Sequence, residues 1–194
     1  MISCVKNLIT ICDTAAIKQW FDQASISHRT AGYFALSWIF ALGAQVVIPL
    51  PFTLVPLVLN PFPLLVAAHL LGIHAVYAYG LYLMQGASGI PVFLGLRAGV
   101  SYLFGPTGGY TFGFGLAMLL CLMRSVNSHS RPLLLAKLFC CAIIYFGCGL
   151  AQLWIFVPTA HVLKAGLYPF IIGDACKLLA LVILFGRNDR NSCQ

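Results

Sequence analysis

Apolar residues fill three long stretches of the chain almost without interruption: residues 30–96, 98–123 and 138–163 contain no Asp, Glu, Lys or Arg. A water-facing helix would show charge on one side every three or four residues, and these stretches do not. A helix rises 1.5 Å per residue and must cross roughly 30 Å of hydrocarbon, so one crossing takes about 20 residues. The pattern predicts an all-α membrane protein of six transmembrane helices, near residues 31–49, 53–69, 72–85, 107–123, 133–157 and 168–185. Residues 86–106 are too broken by Gly, Ser and Pro for a crossing and too apolar for a solvated loop. They are expected to form a re-entrant or capping loop between helices three and four. The organisation is then an N-terminal cytoplasmic segment (1–30), a six-helix membrane domain (31–186) and a cytoplasmic tail (187–194).

Prolines sharpen this outline. Five of the ten fall between residues 49 and 63, and each removes a backbone donor. Non-helical backbone at membrane depth must line a cavity or be buried in protein, so this stretch is expected to wall a binding site. Gln45 and Thr53 flank it, either to hydrogen-bond a ligand or to satisfy freed backbone groups.

Composition agrees with a lipid solvent: 61% hydrophobic residues, 8% charged and a mean hydropathy of +0.95. The net charge of +7 does not point to nucleic acid, because the basic residues lie between apolar runs and form no patch with interleaved aromatics. They sort by topology instead. Six crossings place Lys6, Lys18, Arg29, Arg124, Arg131, Lys137, Arg187 and Arg190 on one side, against Arg97 and Lys164 on the other. Both termini are therefore expected in the cytoplasm. Residues 1–28 show no signal peptide; they form either an interfacial amphipathic helix, with Ile11, Ile17 and Trp20 available for burial, or a loosely ordered tail. The cysteines lack CxxC spacing and read as small buried hydrophobes, while His69 and His74 share no helical face, so no metal site is expected.

Chemistry concentrates at the far end of the chain. Asp174 and Lys177 stand at i and i+3 inside an apolar helix and so share a face. Ionisable groups at membrane depth cost at least ~2.5–3.5 kcal/mol each on insertion scales and mark ligand pathways or mutual ion pairs. A second feature is Gly105-Pro106-Thr107-Gly108-Gly109-Tyr110, where the glycines permit close backbone approach and a helix start offers free N–H groups. It suits either a bound carbonyl or carboxylate or a tight turn with close helix packing. Ala31 and Ala35 form a small-xxx-small pair fit for packing by another helix. The chain has no nucleotide-binding glycine loop and no Glu, so it is not expected to hydrolyse ATP. An intramembrane enzyme is disfavoured for want of a nucleophile–base pair; a purely structural subunit would use the Asp–Lys pair only to hold helices together.

Three blocks in order resemble the BioY family, the biotin-specific membrane subunits of energy-coupling-factor transporters. They are Gly89-Ile90-Pro91-Val92-Phe93, the Gly105–Tyr110 block with Gly113-Phe114, and Pro169-Phe170 followed by Gly173-Asp174 and Lys177. Ala44-Gln45 and the segment from Pro49 to Thr53 are similar too. Departures are Val55, where the family usually has Gln, a thinned glycine run at residues 94–99, and the loss of a basic residue near Ile73 and His74. The resemblance implies biotin uptake in the bacterial cytoplasmic membrane. It further implies six helices around an outward-opening vitamin site, a coupling subunit in the membrane, for which the Ala31 and Ala35 pair offers a contact, and two ATPase subunits. No cofactor is implied. The ligand residues on this reading are Asp174, Lys177, Thr107, Gly108, Gly109, Tyr110, Gln45 and Thr53. Another function of the same class is a stand-alone carrier, or a transporter subunit for another small vitamin-like anion.

Overall fold

A computed structural model describes residues 14–48, 57–122 and 131–158, together with residues 162, 163, 166, 167, 170, 173, 174, 179, 181 and 182. The chain runs through α1 (Thr14–Gln23), α2 (Ile26–Gln45), β1 (Val47–Ile48), β2 (Leu57–Val58), α3 (Pro61–Leu71), α4 (Ile73–Ala87), α5 (Val100–Leu103), α6 (Gly108–Leu122) and α7 (Arg131–Leu153). Residues 170, 173, 174, 179, 181 and 182, in the expected last crossing, are helical. Thr53, Lys177 and the tail lie outside the described residues, as does most of the proline-rich stretch.

Two boundaries differ from the sequence reading, for physical reasons. The second apolar segment, expected as a helix from about residue 53, becomes helical only at Pro61. Pro61 and Pro63 occupy its first turn, where the missing N–H groups have no intrahelical acceptor anyway, so they start the helix rather than interrupt it. Just before it, Val47 pairs with Val58 and Ile48 with Leu57 in a short antiparallel ladder. This ladder satisfies backbone groups that prolines prevent from joining a helix.

The helices pack through small residues. A Cβ at Gly113 would lie 2.6 Å from Tyr145 Cα, and one at Gly109 would strike the Cys148 carbonyl, so α6 and α7 touch backbone to backbone. Gly149 of α7 receives the ring of Tyr110 in return. Lipid supplies little hydrophobic drive for helix association, so close van der Waals packing of this kind has to do the work. The exterior is apolar as well: Trp38 (51% exposed) and Leu42 on α2, Leu116 and Leu119 on α6, and Leu135, Phe139 and Ile143 on α7 face outward. Leu134–Leu153 is long and apolar enough to cross a membrane, whereas Pro61–Leu71 and Gly108–Leu122 are apolar but shorter.

The N-terminal segment contains a helix, and its anchor is Phe21 rather than Trp20. Phe21 is buried while Trp20 stays half-exposed. Its ring stacks on Tyr33 at 5.5 Å and on His74 at 5.2 Å. A Cβ at Gly32 would meet the same ring at 2.8 Å, so glycine makes the seat.

Candidate functional site

A cavity of about 590 Å³, part of it open to the outside, lies between the helices near the end of the bundle that carries the β1–β2 ladder. Each wall comes from a different element. Ala44 comes from α2, Val58 from β2, Tyr82 from α4 and Tyr102 from α5. Thr107, Tyr110, Thr111 and Phe114 come from the start of α6 and the residue before it. Tyr145 and Phe146 of α7 face Phe170 and Asp174.

Asp174 is the acidic group of this aromatic-rich space, and it is 6% exposed. Tyr145 donates its hydroxyl to Asp174 Oδ2 at 2.7 Å. A carboxylate out of water needs such donors, because an isolated buried charge is strongly disfavoured. Tyr145 is itself fixed by rings at its flanks, Phe114 at 5.2 Å and Phe146 at 4.7 Å. Asn60, also 6% exposed, belongs to the same lining beside Pro61.

The start of α6 is held from α7. Gln152 Nε2 donates to Leu103 O at 3.0 Å and to Gly105 O at 2.7 Å, and Tyr110 donates its hydroxyl to Gly166 O at 2.8 Å. Thr107 and Tyr110 thereby take fixed places in the lining. Gly108 and Gly109 do not line the cavity. A Cβ at Gly108 would collide with Leu103 O and one at Gly109 with Cys148 O, so both serve close packing with protein backbone.

Gln45 also stands off the cavity and holds the loop above it. Its Nε2 donates to Phe93 O at 3.0 Å and Val92 O at 3.3 Å, while its Oε1 accepts from Leu96 N at 2.9 Å. Leu96 has φ 58°, a left-handed value unusual for a branched side chain, so the clamp holds backbone in a costly conformation. Phe93 of this loop is fully buried, stacked on Tyr102 at 4.7 Å, and the neighbouring Leu94 reaches the cavity. Gly86 leaves the space that the Phe93 ring fills. Ala31 and Ala35 are exposed on the outer face of α2, away from the cavity.

Of the residues singled out from sequence, Asp174, Thr107 and Tyr110 meet in the cavity. Gln45, Gly108 and Gly109 support its walls, and Thr53 and Lys177 lie outside the described residues. Tyr145, Asn60 and Gln152 were missed. The available signal was a strong hydrogen-bonding side chain inside an uncharged run, which a search for charge alone passes over.

A bundle with an apolar exterior, enclosing an aromatic cavity with a buried acid, defines a membrane protein that binds a small polar solute. The BioY family profile matches residues 18–191. The Thermotoga maritima protein named "Biotin transporter BioY" is 31% identical over 157 residues, covering 79% of this chain and 90% of its own length. "Biotin transporter BioY2" of Lactococcus lactis is 31% identical over 160 residues, covering 76% of this chain and 86% of its own. The fold is that of a solved S-component for biotin from an ECF-type ABC transporter, with a TM-score of 0.71 over 84% of this chain and 93% of that one, at 22% identity. The chain belongs to the BioY family.

Proposed function

We propose that this chain captures biotin from outside the cell as the substrate-binding membrane subunit of an energy-coupling-factor transporter. The observation that carries the reading is the Asp174 carboxylate, buried in an aromatic cavity and held by Tyr145. Biotin offers an apolar thiophane ring, an anionic carboxylate and a ureido group with two N–H donors and one acceptor. The aromatic walls suit the ring. Asp174 accepts from a ureido N–H, and Lys177, three residues on, meets the ureido oxygen or the vitamin's carboxylate. Thr107 and Tyr110 complete the lining.

On this reading six helices cross the cytoplasmic membrane with both termini inside, and residues 88–99 cap the outward mouth. Lys6, Lys18, Arg29 and the other basic residues of that side support the orientation. The chain has no nucleotide-binding glycine loop, so an integral-membrane coupling subunit and two ATPase subunits supply the energy. Ala31 and Ala35, exposed on α2, are the proposed contact with the coupling subunit. The names of the relatives, both biotin transporters, support the substrate.

Equilibrium binding of labelled biotin to the purified chain tests the substrate; no saturable binding rejects it. Single cysteines at positions 19 and 88, in a background without other cysteines, test the orientation. In intact cells an impermeant reagent should modify position 88 and spare position 19. ATP-dependent uptake by this polypeptide alone in proteoliposomes would remove the need for partner subunits.

A further inference from the structure

Cys121, near the end of α6, and Cys141, in α7, bring their sulfurs to 3.5 Å in the buried contact between the two helices. They are 20 positions apart in the chain, and they meet because α6 and α7 already touch through Gly113 and Tyr145. Cys141 donates its S–H to Ala117 O at 3.4 Å, one turn before Cys121 on α6. Lys137, one turn before Cys141 on α7, is 2% exposed and donates Nζ to Cys121 O at 2.7 Å. That ammonium complements the last carbonyls of α6. It has no carboxylate partner among the described residues, so its charge also acts on the two sulfurs beside it. Two thiols in contact and an ammonium not neutralised by a carboxylate are thus gathered in one buried place.

We infer that Cys121 and Cys141 are a modification site: hydrogen peroxide converts them to a reversible disulfide that fastens α6 to α7, the helices that carry Phe114 and Tyr145 of the cavity. Disulfide sulfurs lie about 2.05 Å apart, so the observed pair has to close by about 1.5 Å. Cys121, 5% exposed against 0% for Cys141, reacts first. Its sulfur attacks one peroxide oxygen, water leaves, and a sulfenic acid remains. The Cys141 sulfur then attacks the sulfenic sulfur, the S–S bond forms, and a second water departs. Two thiols are oxidised and one peroxide is reduced to two waters. The Lys137 ammonium stabilises the negative charge that gathers on the attacking sulfur. On the orientation proposed above the pair lies toward the cytoplasmic end, where thiols are kept reduced, so the bond forms on exposure to peroxide and reverts afterwards.

The test treats the purified full chain with hydrogen peroxide, blocks the remaining thiols with N-ethylmaleimide after denaturation, and maps the peptides by mass. Thermal unfolding is measured before oxidation, after it, and after reduction with dithiothreitol. Peptides containing Cys121 and Cys141 should be joined, with the loss of two hydrogens. The oxidised chain should unfold about 5–10 °C higher, because a cross-link restricts the unfolded chain, and the rise should disappear on reduction. Cys121→Ala and Cys141→Ala should show no such rise. Lys137→Met should form the link several-fold more slowly. Oxidation that reaches the exposed Cys140 while leaving Cys121 and Cys141 as free thiols overturns the inference, and so does a link from either to a different cysteine. A Cys121–Cys141 link with an unchanged or lower unfolding temperature overturns the clasp. Because the mapping is done on the wild-type chain, the outcome stands even where a variant fails to fold.

Discussion

Asp22 and His74, 52 positions apart, meet at 2.8 Å between Oδ1 and Nε2. The other ring nitrogen of His74 is 2.9 Å from the Tyr33 hydroxyl, so one imidazole ties α1, α2 and α4 together. Phe21 packs against both aromatic partners from the side. Aligned contacts of this kind turn a ten-residue helix, too short to be stable alone, into a fixed part of the bundle.

The hydrogen bond from His74 holds the Asp22 carboxyl below its ordinary value of 3.8. A depressed carboxyl contributes stability that is fully present above the unfolded value and is lost as pH falls through the folded one. The Asp22 contribution to the docking of α1 should therefore be fully present above about pH 4 and weaken as pH falls below 3.8. Hydrogen exchange in residues 14–23 checks this. Asp22→Ala should exchange faster than wild type at pH 7, and the difference should shrink at pH 3.

Tyr145 and Asp174 should behave as one unit. Asp174→Asn is expected to fold and to bind biotin about ten- to a hundredfold more weakly, the scale of a charge-assisted hydrogen bond. Tyr145→Phe should cost less, since it removes a donor and leaves the carboxylate. The double variant should be no worse than Asp174→Asn alone. Additive losses in the binding cycle would show that Tyr145 acts on the ligand independently of Asp174.

Glycines on different faces should respond differently to alanine. Gly113→Ala puts a Cβ 2.6 Å from Tyr145 Cα and should lower stability by about 1–3 kcal/mol, the usual range for overpacking. It should also weaken biotin binding, because the α7 backbone it displaces carries Tyr145. At Gly80 a Cβ meets no described atom within 4 Å, so Gly80→Ala should be neutral or stabilising by up to about 1 kcal/mol. Unfolding in detergent, with and without biotin, distinguishes the two.

Some parts of the molecule are legible in the sequence and others are not. Uncharged length located the helices at α6 and α7, since the cost of charge in lipid is a local property of the chain. Asp174 stood out for the same reason. Tyr145 did not, because its importance depends on a contact 29 positions away that no local pattern encodes. Val47 and Val58 pair across a proline-rich stretch, a register fixed by tertiary closure rather than by alternation. Gly108 and Gly109 left ligand approach and helix packing open, and only the position of the Cys148 and Leu103 carbonyls separates these uses.

Gln45 should govern how long a ligand stays. Its side chain holds residues 92–96 by hydrogen bonds in both directions. Gln45→Ala should release Leu96 from its left-handed backbone and loosen the cover over Leu94. Biotin dissociation should accelerate about tenfold, the equivalent of ~1.4 kcal/mol, with a smaller change in the association rate. Stopped-flow displacement of labelled biotin measures both rates. An unchanged dissociation rate would separate this loop from ligand retention.

Gln45 and the exposed Ala31 belong to the same unbroken helix, Ile26–Gln45. At 1.5 Å per residue they are separated by about 21 Å along a stiff rod. A rod transmits rotation without loss: a tilt of about 10° at the Ala31 end carries Gln45 sideways by roughly 4 Å, more than the reach of a hydrogen bond. A force applied to the lower part of α2 from outside the chain thus reaches the cover of the cavity mechanically, with no change in the shape of the helix that carries it.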